Sequence, residues 1–257
     1  MNFTTTEITA LVGSYLWPLF RIASMVMVAP VSGAESVPSP VRIVAAIALT
    51  AALVPLLPTA PAVDPFSWEA LLITIQEVLI GIAIGFSFQL IFAAIIMGAQ
   101  IIAMQMGLGF ATMVDPQNGA DVPVLAQLYL MLTTLLFLAV DGHLLMFDMI
   151  FNSFQVMPIG GAGLDRDAFY ALATWGGTLY QLGLWLALPT LAAVLLVNIA
   201  FGVMARAAPQ LNIFSVGFPM TIIFGFFFAI YTLPVVKSQF EVILQSVIAL
   251  IERILGG

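Results

Sequence analysis

The sequence predicts an all-α integral membrane protein with about six hydrophobic helical segments, some kinked or hairpin-like. Three observations carry this. Charged residues make up 7% of the 257, against 62% hydrophobic, where a soluble domain carries about 25% charged. So few polar side chains cannot cover a globule in water, and the mean hydropathy of +1.15 says the same. The apolar residues fall in runs near the 20 or so that span a bilayer core as a helix. Pro, Gly, Asp and Asn cluster in the short stretches between those runs, where turns need them.

The runs lie at 10–30, 41–57, 70–109, 123–140, 178–204 and 213–236. No Lys or Arg precedes the first, in "MNFTTTEITALVG", so a cleavable signal peptide is not expected and the first segment is expected to be retained. Turn chemistry in "APVSGAESVPSP" (29–40) separates the first two runs, and "PLLPTAPAVDPFSW" (55–68) the next two. The third run is twice the length a bilayer needs, so it either bends back as a hairpin or projects beyond the membrane. After the fourth, a polar loop is expected from Asp141 to about Ala173, containing "PIGGAGLDRDAF" (158–169). From Val235 onward Val236, Phe240, Ile243, Val247, Leu250 and Ile254 recur at helical spacing, interleaved with Lys237, Glu241, Gln245, Glu252 and Arg253. This predicts an amphipathic helix. With six spans, Arg166, Lys237 and Arg253 oppose Arg42 and Arg206, a balance too even for the positive-inside rule. The acids lean weakly toward both termini lying outside the cytoplasm.

Several chemistries are excluded. With no cysteine and one histidine, thiolate nucleophiles, disulfides and His-cluster metal sites are unavailable. There is no basic patch for nucleic acid, no phosphate-binding Gly-rich loop and no zinc-helix or nucleophile-elbow motif. No enzyme and no cofactor are expected. Asp141 and His143 stand two residues apart. A helix-ending turn explains them better than an acid–base pair.

Polar residues inside the runs say more. An arginine at mid-membrane costs about 2.5–3.5 kcal/mol even on a lenient scale, so Arg21 needs a partner, and Glu77 is the obvious carboxylate. Glu77, Gly81 and Gly85 share one helical face, where another helix can approach closely. The group is either a coupling-ion site or a structural ion pair or inter-subunit bond, and the structural reading is preferred. Gln76, Gln89, Gln100, Gln105 and Asn198 also lie in or near spans. Their amides need other helices or an aqueous path. Around Phe110, the residues Met97, Met104, Met106 and Met113 are soft and adaptable. They form either a packed helix end or a deformable seal.

Five blocks together resemble the FliR family. They are "FRIASMVMVAPVSGAESVPSPVRIVAAIALTAALVP" (20–55), "QEVLIGIAIGF" (76–86), "MQMGLGFATMVDPQNG" (104–119), "DGHLLMFDMIFNSFQVMPIG" (141–160) and "ARAAPQLNIFSVGFP" (205–219). The family consists of inner-membrane components of the flagellar type III protein export apparatus. The resemblance implies a helical multi-subunit export gate, shared with FliP and FliQ, through which unfolded flagellar proteins leave the cytoplasm. It implies a FliP-like region over 1–175, a FliQ-like hairpin with amphipathic tail over 176–257, and packing largely above the bilayer plane. It assigns the plug to Met106–Val122, with Met106, Phe110 and Met113 sealing, Gly107 and Gly109 permitting movement, and Asp115 and Pro116 turning the chain; Met104, just before it, is counted with the plug and gate residues. It assigns Arg206, Pro209, Gln210, Asn212 and Pro219 to a loop facing FlhB, with FlhA as a further partner. Location at the basal body in the inner (cell) membrane follows. Alternatives are a virulence-type secretion subunit and, less favoured, a proton-coupled transporter using Glu77.

Overall fold

A computed structural model describes residues 5–34, 36–109, 123–207 and 213–256. Within them the chain is helical: α1 (Thr5–Val28), α2 (Ser39–Leu53) with a short 3-10 turn after it, α3 (Trp68–Gln105), α4 (Val124–Ala139), α5 (Gly142–Val156), α6 (Arg166–Ala207), α7 (Ile213–Tyr231) and α8 (Leu233–Gly256). Among the described residues, five helices are long and apolar enough to cross a membrane, and six if the broken pair α4–α5 is one span. The all-α membrane class is thus the observed one.

Two elements differ from expectation. The third run neither bends back nor breaks. It is one helix of 38 residues, about 57 Å long at 1.5 Å per residue. Its glycines at 81, 85 and 98 are contact points rather than bends. The expected polar loop after Asp141 is largely helix. In α5, Gly142, Met146, Ile150, Ser153 and Phe154 are buried, a stripe at i, i+4, i+8, i+11 and i+12. His143, Asp148 and Asn152 on its other faces lower the hydropathy below membrane level and hide this period. α6 likewise starts at Arg166, twelve residues before the run at 178–204, on an Asp165 cap whose Oδ1 accepts the Ala168 N–H at 2.7 Å.

Two compact units result, each built from separate stretches of chain. The first comprises residues 1–90, 137–176 and 245–257. Its buried side chains include Ile22 and Met25 of α1, Ile84 and Phe88 of α3, Ile150 and Phe154 of α5, and Ile251 of α8. Phe88 meets Phe137 edge-on with ring centres 6.2 Å apart, a favoured aromatic geometry. Trp17 packs with Ala70 and Ile73 under Ala60, Val63 and Ile159 of the connecting segments.

The second unit comprises residues 91–136 and 177–244. Here α3 and α6 touch backbone to backbone at two glycines. A Cβ at Gly98 would lie 2.6 Å from the Gly183 carbonyl oxygen, and one at Gly183 would lie 2.7 Å from that of Ala94. α6 and α7 run antiparallel, tied by Thr221 Oγ1 donating to Asn198 Oδ1 (2.8 Å) and by the Thr190–Thr232 hydroxyl pair (3.0 Å). The expected amphipathic tail is α8: Val236, Phe240, Ile243, Val247, Leu250 and Ile254 are all buried, and Lys237, Glu241, Gln245, Glu252 and Arg253 are exposed.

Candidate functional site

Two constellations stand out, one in each unit. In the first unit, Glu77 of α3 accepts from two of the three guanidinium nitrogens of Arg21 on α1. Arg21 Nε donates to Oε2 at 2.7 Å and Nη2 to Oε1 at 2.9 Å. The remaining nitrogen, Nη1, donates to Ser153 Oγ at 3.0 Å, and Nη2 also reaches the Met157 carbonyl at 2.9 Å. Ser153 can accept because its own hydroxyl proton goes to the Ile150 carbonyl. The guanidinium lies over the Phe154 ring, 4.2 Å from its centre. Met157 caps the C-terminus of α5, where carbonyls carry partial negative charge and a cation is favoured.

Sequence dictates this meeting. Gly81 and Gly85 follow Glu77 at helical spacing, and a Cβ at Gly81 would strike Ser24 Oγ and the Arg21 carbonyl. A Cβ at Gly85 would lie 2.8 Å from the Met25 carbonyl oxygen. α1 therefore approaches α3 closely enough for a bidentate fork, the geometry arginine suits best. Both charged side chains are almost fully buried. Each carboxylate oxygen accepts one of these bonds, so the pair can clamp α1, α3 and α5 together. Ser153, Phe154 and Met157 escaped the sequence reading, which placed them in a family block without a role.

In the second unit, α3 ends in a Schellman motif. Leu108 N–H donates to the Ala103 carbonyl and Gly107 N–H to that of Met104, both at 3.0 Å. Gly107 takes φ +82°, the left-handed conformation such a helix stop uses and glycine adopts without strain. The Phe218 ring lies over it: a Cβ at 107 would sit 2.6 Å from Cε2. Met106 is fully buried. Its side chain fills the notch left by Gly225 of α7, where a Cβ would meet Met106 Cγ and approach Cε and Sδ to 2.8 Å. Met104 points the other way and is 70% exposed. Phe218 and Gly225 were not singled out from sequence. A glycine inside "IIFGFFFAIY" is the one signal that could have pointed to close packing.

The other expected residues divide plainly. Phe110, Met113, Asp115 and Pro116 of the plug stretch lie outside the described residues, as do Pro209, Gln210 and Asn212. Gly109 follows the stop of α3 and is partly buried. Arg206 ends α6 and is exposed, and Pro219 is exposed inside α7. Asn198 bonds across to α7 as an interhelical amide should, whereas Gln89 is exposed on α3. Asp141 takes a left-handed φ of 56° at the break before α5. That is the helix-ending turn expected at Asp141, whereas His143 lies inside α5. Among the described residues no three His, Cys, Asp or Glu side chains gather as metal ligands do.

Comparison with known proteins adds the following. A family model for bacterial export proteins, family 1, matches residues 12–247. The flagellar biosynthetic protein FliR of Escherichia coli (strain K12) is similar at 38% identity over 256 residues, covering 100% of this chain and 98% of its own. The protein of the same name from Pectobacterium carotovorum subsp. carotovorum is 37% identical, with 99% and 97% covered. That of Bacillus subtilis (strain 168) is 28% identical, with 87% of each covered.

Proposed function

The chain belongs to family 1 of the bacterial export proteins, the family of the flagellar biosynthetic proteins FliR, and on that premise we propose that it forms, with FliP and FliQ subunits, the channel through which unfolded flagellar proteins leave the cytoplasm. It is a subunit of the flagellar export apparatus and a membrane protein. The finer reading adds that it works in the inner membrane at the basal body, with FlhB and FlhA as neighbours. Its first 175 residues then act as the FliP-like part, and residues 176–257 as the FliQ-like part. Arg206, at the end of α6, and Pro219 begin and end the stretch that faces FlhB.

One observation carries the assembly. α3 and α6 have 38 and 42 residues, about 57 and 63 Å at 1.5 Å per residue, while a hydrocarbon core is about 30 Å thick. Yet the surplus is not polar. α6 exposes Phe169 and Tyr170 near its start as well as Tyr180, Leu184, Trp185, Leu196, Ile199 and Val203, an apolar surface of about 51 Å at 1.5 Å per residue, longer than one bilayer needs. Other apolar helices have to cover what lipid does not reach. The relatives' flagellar names favour flagellar export over a virulence-type system.

Deleting the chain is expected to stop export of external flagellar proteins while the inner-membrane base ring still forms. Normal filaments in the deletion strain would overturn the reading. Within the channel, the stretch Met106–Val122 is assigned the seal. Shortening it is expected to leave the assembled complex permeable to small solutes, and a tight membrane with the segment removed would refute the seal.

A further inference from the structure

We propose that Met106 is the anchor of the seal rather than one of its sealing side chains, and that Gly225 and Phe218 of α7 are the positioning residues that hold it. This rests on the seal reading above and concerns only how the start of that stretch is placed.

The side chain of Met106 has no exposed surface, so in this conformation it cannot line an opening. It is committed to α7. The notch at Gly225 exists because that residue lacks a Cβ, and the methionine's Cγ, Sδ and Cε occupy it. One residue on, Gly107 stops the helix under the Phe218 ring at φ +82°. The two contacts bracket the last turn of α3: one fixes its side chain, the other its backbone. Gly225 and Phe218 lie seven residues apart, two helical turns, so both are on one face of α7. That helix is itself tied to α6 by the Asn198–Thr221 bond. The point where α3 stops, and hence where the following stretch starts, is thus set by α7. Met104, two residues earlier and exposed, keeps its thioether free for the sealing role that Met106 cannot fill. A sealing side chain is replaceable by any soft apolar group on its own position. An anchor is replaceable by filling its notch from the other side, and that difference is measurable.

The test uses complete complexes in cells lacking the galactoside permease, with entry of a chromogenic β-galactoside as the leak probe. Co-purification of the chain with FliP and FliQ confirms assembly. Met106→Ala empties the notch and is expected to raise entry several-fold, as is Gly225→Leu, which expels the methionine. The double variant Met106→Ala/Gly225→Leu refills the notch from α7 and is expected to return entry to the parental rate. If the double variant leaks as much as Met106→Ala, Met106 seals directly and the anchor is refuted. An assembled, tight Met106→Ala complex refutes it too. The chain has no cysteine, so Met106→Cys/Gly225→Cys provides a second arm that does not depend on packing tolerance. Oxidation is expected to close an intrachain disulfide in tight, assembled complexes. Failure of that bond to form overturns the anchor even where Gly225→Leu prevents assembly. The seal itself is judged separately, by the shortened Met106–Val122 variant. Leakage there with tightness in Met106→Ala removes the anchor and keeps the seal.

Discussion

Removing one member of a buried ion pair strands the other charge, at a cost of about 3–5 kcal/mol, whereas replacing both by apolar residues is often neutral. Arg21 and Glu77 meet the conditions for this asymmetry, being buried and joined by two short bonds. Arg21→Met and Glu77→Leu alone are each expected to lower the thermal stability of the detergent-purified complex sharply. The double variant is expected to recover most of it. Export in the double variant then separates the clamp from a proton-coupling role, since a coupling carboxylate has no apolar substitute. A stable double variant that exports nothing would assign the charges work beyond holding helices. The pairing itself was legible, because Glu77 is the one carboxylate deep in a span and Arg21 cannot stay there alone. Its further ligands were not. Ser153 and Met157 stand 132 and 136 residues away, and no local pattern in a sequence encodes contacts that distant.

At the scale of elements, glycine positions discriminate between helix surfaces that meet and surfaces that do not. In an open helix interior, Gly→Ala gains about 0.5–1 kcal/mol. Where a Cβ strikes a neighbour, overpacking costs about 1–3 kcal/mol. Gly177 of α6 has nothing within 4 Å of an added Cβ, while Gly81 of α3 faces Ser24 and the Arg21 carbonyl. Gly177→Ala is therefore expected to raise the melting temperature of the isolated chain and Gly81→Ala to lower it, measured side by side in the same detergent. Equal effects would contradict the close α1–α3 contact. α8 was legible because its apolar period is unbroken and its polar residues fill the other face. α5 was not, because its polar faces dilute its hydropathy below membrane level and the buried stripe shows only once the period is counted. α3 was legible as too long but not as one unbroken helix. Glycine serves bending and close approach alike, and only the neighbouring helix decides which.

For the molecule as a whole, the question is what covers the apolar surface that the fold leaves out. α2 shows it most plainly: only Ala46 and Thr50 are buried, while Val41, Ile43, Val44 and Ile47 are exposed. Hydropathy alone cannot tell a lipid-facing helix from one covered by a neighbouring subunit, because an acyl chain and a leucine-rich helix are equally apolar. That is why the sequence made the membrane class legible but left the assembly to resemblance. The cysteine-free background allows the two to be separated. Single cysteines at Val44 of α2 and at Leu196 and Ile199 of α6 are expected to react with a lipid-soluble maleimide in the isolated chain, since all three positions are exposed. Assembly with FliP and FliQ is expected to protect at least the α6 positions, because helices of 38 and 42 residues extend past the acyl region by about 27 and 33 Å. A subunit helix that covers this surplus is expected to run on along the same face of α6, over Leu196 and Ile199. Undiminished labelling of both α6 cysteines in the complete complex would place that face against lipid and remove the main physical support for a shared channel wall.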